Sequence, residues 1–172
     1  MRRSWGEMKR ILPGAIGVLA LAGLVDSAYL TAVHFEVAGM GLPEVCRIGA
    51  DSCEAVLGSQ QAVLAGIPTP LLGAVYFAFV LGAAFVRITA GRWFAPWLLT
   101  AILVAGLGLS GYLMHSLVVD MDSLCPFCVV AHAINTAVFV LFWVSLHEDG
   151  VTLHAAQALR ERLRSRGEHS RG

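Results

Sequence analysis

Four apolar runs, at 11–35, 71–88, 96–118 and 126–146, set the pattern of this chain. Each is long enough to cross a hydrocarbon layer as a helix, which takes about 20 residues. The pattern predicts an all-α integral membrane protein: a four-transmembrane-helix bundle with short connections, except for a long first one at 36–70. It divides the chain into an N-terminal segment at 1–10, a membrane domain at 11–148 and a basic tail at 149–172. No internal repeat or low-complexity linker interrupts this order. In the tail, Val151, Leu153, Leu159 and Leu163 stand among arginines. That spacing fits an amphipathic helix on the lipid surface and fits a frayed soluble tail equally well.

Composition agrees with the pattern. The chain is 57% hydrophobic and 14% charged, which excludes a water-soluble domain. Its net charge of zero gives no reason to expect nucleic-acid binding. Charge placement predicts the orientation. Of the twelve Lys and Arg residues, all but Arg47 fall before span one, around the second connection or after span four. The opposite side carries Glu36, Glu44, Asp51, Glu54, Asp120 and Asp122. By the positive-inside rule both termini are cytoplasmic and the first and third connections face outward. The expected setting is a bacterial cytoplasmic membrane, since no eukaryotic retention signal is visible. Ala20-Leu21-Ala22 could be a signal-peptide cleavage site. The apolar run continues past it to make a full span, so the segment is expected to be retained.

The four cysteines form two close pairs on the outward side, Cys46 with Cys53 and Cys125 with Cys128. An outward face is oxidising, so disulfides persist there. Zinc ligation would call for paired C-x-x-C knuckles. Here six residues separate the first pair, and the second flanks a membrane helix, so no metal is expected. Two structural disulfides are the more credible bland reading. Against it, a loop closed around only Pro126 and Phe127 restrains little of the unfolded chain. The C-x-x-C pair therefore reads as reactive. It sits at a helix start, where the dipole favours thiolate, and Pro126 fits the first helical turn. Cys125 is expected to be the exposed member and Cys128 to lie deeper, facing the bundle interior. Two dithiols in a membrane chain suggest thiol–disulfide exchange that ends on a lipid-soluble two-electron acceptor.

The segment from Cys46 through Asp51, Ser52 and Cys53 to Ser59, then Gly66-Ile67-Pro68, Leu72-Gly73 and Tyr76, precedes Cys125–Cys128 and Ala133-Ile134-Asn135. This ordered set resembles the vitamin K epoxide reductase family in its bacterial form, over about residues 17 to 146. The resemblance implies a four-helix bundle around a membrane quinone, ubiquinone or menaquinone, with a short extra helix in the first outward loop capping the pocket. It implies that Cys128 faces the quinone and that Cys125 exchanges with Cys53. Cys46 would pair with Cys53 and meet the external thiol, a DsbA-like thioredoxin-fold protein. Ser59 matches a serine near the quinone. His132 stands where the animal branch has a tyrosine, and Thr69 falls near that branch's substrate-binding asparagine. With Leu72 and Tyr76 these are the candidate quinone contacts. The two departures tell against epoxide reduction but not against quinone reduction. Many bacterial relatives carry a fused thioredoxin-like domain, whereas this sequence ends soon after span four, which implies a separate partner.

Other readings remain open at this stage. A DsbB-like oxidase does the same work on four spans, but its C-x-x-C lies in the first outward loop. A non-enzymatic membrane subunit with incidental disulfides is the alternative outside enzymology. Asp26, costly inside a span, is expected to be bonded to a neighbouring helix, with proton relay as the second reading. His115 is expected at an interface. Tyr112, like Tyr76, is expected to pack with a bonded hydroxyl. Gly106, Gly108 and Gly111 are expected to allow close helix approach.

Overall fold

The computed structural model describes the backbone of residues 2–37, 56–59, 62–64, 66–120 and 125–169, and side chains over 11–35, 56–59, 62–64, 66–119 and 125–150. Four long helices carry the fold: α1 (Arg2–Val37), α2 (Thr69–Ala90), α3 (Pro96–His115) and α4 (Pro126–His169). Each contains a stretch long and apolar enough to cross a membrane, at Ile11–Phe35, Thr69–Ala90, Pro96–Val119 and Pro126–Gly150. The predicted four-span helical architecture holds. Prolines mark the starts of three spans, with Pro70, Pro96 and Pro126 all in a first turn. There the missing N–H is one that no helical carbonyl would have accepted.

The ends depart from the sequence reading in instructive ways. Span two begins at Thr69 because Thr69-Pro70 supplies the first turn. Span three leaves α-geometry after His115 and continues as a π-turn, Ser116–Asp120. The fourth helix runs on through His169, so no break separates the expected membrane domain from the expected tail. A two-residue hairpin, β1 (Val63–Leu64) against β2 (Ile67–Pro68), precedes α2 and was not anticipated. Its turn needs a positive φ, which Gly66 supplies at 83°. Val56 and Leu57 are helical, closed by Ser59 N–H on Val56 O at 3.2 Å. The rest of the expected capping helix lies outside the described residues, as do Cys46 and Cys53.

Helix α1 packs most extensively on α2, then on α4, and α3 packs on α4. Two buried clusters result. The inner one joins Ile16, Ala20, Val80, Ala84, Leu99, Leu103, Val138 and Phe142. The outer one joins Leu30, Val33, Val56, Leu57, Leu117 and Cys125. The outward faces are apolar too, with Val18, Val25, Val75, Phe85, Val104 and Val140 exposed, as a lipid-facing surface requires. Span threonines return their hydroxyls to the preceding turn, Thr31 to Ser27 O at 2.7 Å and Thr136 to His132 O at 2.9 Å. No hydroxyl of theirs is left bare in hydrocarbon.

Small residues make the α1–α2 seam tight. A Cβ on Gly17 would meet Ala84 Cβ at 3.8 Å, and one on Gly73 would meet Ser27 Oγ at 3.0 Å. At Gly23 a Cβ would lie 2.6 Å from the buried Phe77 ring. A Cβ on Gly106 would lie 2.8 Å from the Tyr76 ring, but one on Gly108 or Gly111 would meet open space, so only the first of those three serves close approach. We expect Gly23→Ala to lower stability by about 1–3 kcal/mol, because the ring must shift in a filled core. Thermal unfolding in lipid nanodiscs tests this, and an unchanged midpoint would contradict the close contact.

Candidate functional site

All four spanning helices, with the capping residues Val56, Leu57, Ser59 and Ala62, line one cavity that is partly open to its surroundings. Its wall is chiefly apolar, including Leu30, Leu72, Phe77, Leu109, Leu113 and Leu117. That is the character of a site for a flat, oily ligand with a few polar atoms. The sequence-derived candidates Ser59, Thr69, Leu72, Tyr76, His132 and Cys128 all line this space, although they come from separate elements.

Cys125 immediately precedes α4 and acts as its cap. Its carbonyl accepts the N–H of Val129 at 3.1 Å, and its Sγ lies 3.4 Å from the N–H of Cys128. That amide is placed to stabilise negative charge on sulfur during exchange. Contrary to the sequence expectation, Cys125 is the buried member, at 0% exposure. Leu30, Val33, Val56 and Leu57, all distant in sequence, close around it, and the Tyr29 and Phe127 rings meet beside this cluster at 5.0 Å. Cys128, one turn on, is half-buried and opens on the cavity. The cap is tied down by His34, whose Nδ1 donates to Leu57 O at 2.9 Å, a residue the sequence reading passed over.

A polar chain crosses the cavity wall. Tyr76 on α2 donates to Asn135 Oδ1 at 2.6 Å, Asn135 Nδ2 donates to Ser110 Oγ on α3 at 2.7 Å, and Ser110 Oγ lies 3.0 Å from His132 Nδ1. Gly106 leaves the room in which the Tyr76 ring crosses toward α4. His132 and Asn135 are three apart on one helix, so they share a face. Ser110 was missed by sequence reasoning. The signal available was a hydroxyl at mid-depth of a span, where polar residues call for partners. Ser59 turns its own hydroxyl onto Val56 O at 2.7 Å, which fixes the cap and leaves only lone pairs for a ligand.

Two further expectations need correction. Asp26 is not bonded across the helix interface: its buried Oδ2 has no hydrogen-bond partner among the described residues. Tyr112 does not pack inward but is 59% exposed. His115 ends α3 beside the π-turn. Among the described residues no group of three or more His, Cys, Asp or Glu could hold a metal ion.

The sequence model of the vitamin K epoxide reductase family matches residues 15–143. The chain belongs to that family. The match takes in both cysteine pairs and every residue that lines the cavity, and it decides against a DsbB lineage. In kind, this VKOR-family chain is a multi-pass membrane oxidoreductase. Among characterised proteins it is similar to "Thiol-disulfide oxidoreductase LTO1" of Arabidopsis thaliana, 29% identical over 125 residues. That alignment covers 69% of this chain and 32% of the plant protein, so the chain spans about a third of that relative's length.

Proposed function

We propose that this chain oxidises a DsbA-like thioredoxin-fold protein and passes the electrons through its two cysteine pairs to a membrane quinone. The observation that carries the reading is Cys128 at the wall of an apolar cavity reached by all four spans, with Cys125 buried directly behind it. The cavity's apolar lining and single polar chain suit a quinone ring. Ser59, Thr69, Leu72, Tyr76 and His132 are the residues that would hold it. A bound ubiquinone or menaquinone supplies a two-electron, two-proton acceptor and leaves as the quinol.

The chain's own residues would then act in sequence. The disulfide Cys46–Cys53 takes two electrons and two protons from the partner's dithiol, which becomes a disulfide. Cys53 exchanges with Cys125, so that Cys46–Cys53 re-forms and Cys125–Cys128 becomes a dithiol. Cys125 and Cys128 close again, giving up two electrons and two protons at the cavity. Helix packing and the cap exclude water while this happens. Both termini lie in the cytoplasm and the cysteines on the outer face of a bacterial cytoplasmic membrane, with the segment beyond 148 as a basic cytoplasmic tail.

The test is turnover in nanodiscs with ubiquinone-1, following loss of quinone absorbance with either a reduced DsbA-like protein or dithiothreitol as donor. Cys46→Ser should lose turnover with the protein donor and keep part of it with the small dithiol. Equal loss with both donors would remove Cys46 from the shuttle role. An intact chain that consumes no quinone with either donor would sink the reading.

A further inference from the structure

The polar chain across the cavity wall has a direction, and Ser110 sets it. A serine hydroxyl carries one proton and two lone pairs. At Ser110 one lone pair is taken by Asn135 Nδ2, an obligate donor, at 2.7 Å. Asn135 is itself oriented from the other side, because its Oδ1 accepts the Tyr76 hydroxyl at 2.6 Å. The second lone pair could take an Nδ1–H from His132, but the buried hydroxyl proton would then have no acceptor among the described residues. Donation to His132 Nδ1, at 3.0 Å, leaves only a lone pair unused. A ring nitrogen that accepts a hydrogen bond carries no proton, so a neutral imidazole must hold its proton on Nε2. Nε2 has no partner among the described residues, and the ring lines the cavity.

We propose that Ser110 is a positioning residue that locks His132 in the Nε2–H tautomer and so presents one N–H donor to a carbonyl oxygen of the ligand in the cavity. The inference rests on the quinone reading of that cavity for its ligand, but not for the tautomer. An imidazole free to exchange tautomers would offer a lone pair instead for part of the time, and a quinone oxygen cannot donate to it. Tyr76, Asn135 and Ser110 thus act through His132, and among the described residues the serine is the only hydrogen-bonded link between the amide and the ring.

The tautomer can be read without any quinone, from 15N-histidine NMR of the full chain in nanodiscs, with His132→Gln assigning the signal. The expected result is an unprotonated Nδ1 and a protonated Nε2. Ser110→Ala should convert this into a tautomer mixture, and Ser110→Thr, which keeps the hydroxyl, should restore it. In turnover with dithiothreitol, Ser110→Ala should raise KM for ubiquinone-1 by roughly 2- to 12-fold, the effect of one weakened hydrogen bond, with kcat little changed. A protonated Nδ1 in the unaltered chain, a measurement that needs no foldable variant, overturns the proposal. So does an Ser110→Ala tautomer identical to the original. If the tautomer behaves as expected but KM for ubiquinone-1 does not move, the donor role is overturned and the quinone site with it, while the lock itself stands.

Discussion

Replacing Cys128 with serine is expected to bring ubiquinone-1 reduction down to background, with dithiothreitol as donor as much as with a protein donor. Among the described residues Cys128 is the only sulfur that lines the cavity, and Cys125 behind it is fully buried in the outer cluster. A serine there keeps the shape and the helix, but a hydroxyl cannot close a disulfide with Cys125, so no electron pair is released at the cavity. Deprived of its internal partner, Cys125 should then stay bonded to Cys53, and a Cys53–Cys125 crosslinked fragment should accumulate after proteolysis. Ser59→Ala makes the contrast. Its hydroxyl proton is already committed to Val56 O, so its loss should only slow turnover, through a looser cap and a weaker contact with the ring. Continued quinone consumption by Cys128→Ser would show that another group meets the acceptor.

Much of the architecture was legible in the sequence because crossing a bilayer demands long apolar runs. The span at Ile11–Phe35 coincides with its apolar run, and three prolines announce helix starts. What was illegible depends on neighbours far along the chain. Cys125 reads as exposed from its place at a helix start, yet Leu30, Val33, Val56 and Leu57 bury it. Ser110 reads as one more small residue between Gly108 and Gly111, and its role exists only because Asn135 and His132 arrive beside it. Tyr76 and Gly106 could each be singled out, but not that the glycine on α3 gives the tyrosine ring its room. The π-turn at Ser116–Asp120 had no sequence signal that we can identify. A carboxylate in span one could be expected to find a partner, and the bare Oδ2 of Asp26 shows that this expectation is not a rule.

The end of the bundle away from the cysteines supplies the second large effect. Arg87, in the last turn of α2, is 8% exposed, and its Nη2 lies 2.8 and 2.9 Å from the two carboxylate oxygens of Asp149 on α4. Its Nη1 donates to the carbonyl of Gly91, the left-handed residue that ends α2. The guanidinium also sits 5.7 Å from the centre of the Trp93 ring, which packs on Phe142 and donates from Nε1 to Ser145 at 3.3 Å. One side chain therefore ties α2, the connection to α3 and the far part of the fourth span together. Asp149→Asn leaves a buried cation with a neutral partner, and breaking a buried pair from one side costs about 3–5 kcal/mol. Asp149 is 27% exposed, so water softens the loss and we expect the lower end of that range. Arg87→Met should cost at least as much, since it also frees the Gly91 carbonyl and the Trp93 face. The double variant Arg87→Met/Asp149→Leu should recover a good part of the loss, because no charge is then stranded. Thermal unfolding in nanodiscs reads all three. Turnover per folded molecule should stay near that of the unaltered chain, because the cavity is lined from the opposite end of α2, Thr69 to Phe77. An Asp149→Asn midpoint equal to the original, or a double variant no better than the worse single one, would mean that the pair contributes little and that apolar contacts alone hold this end.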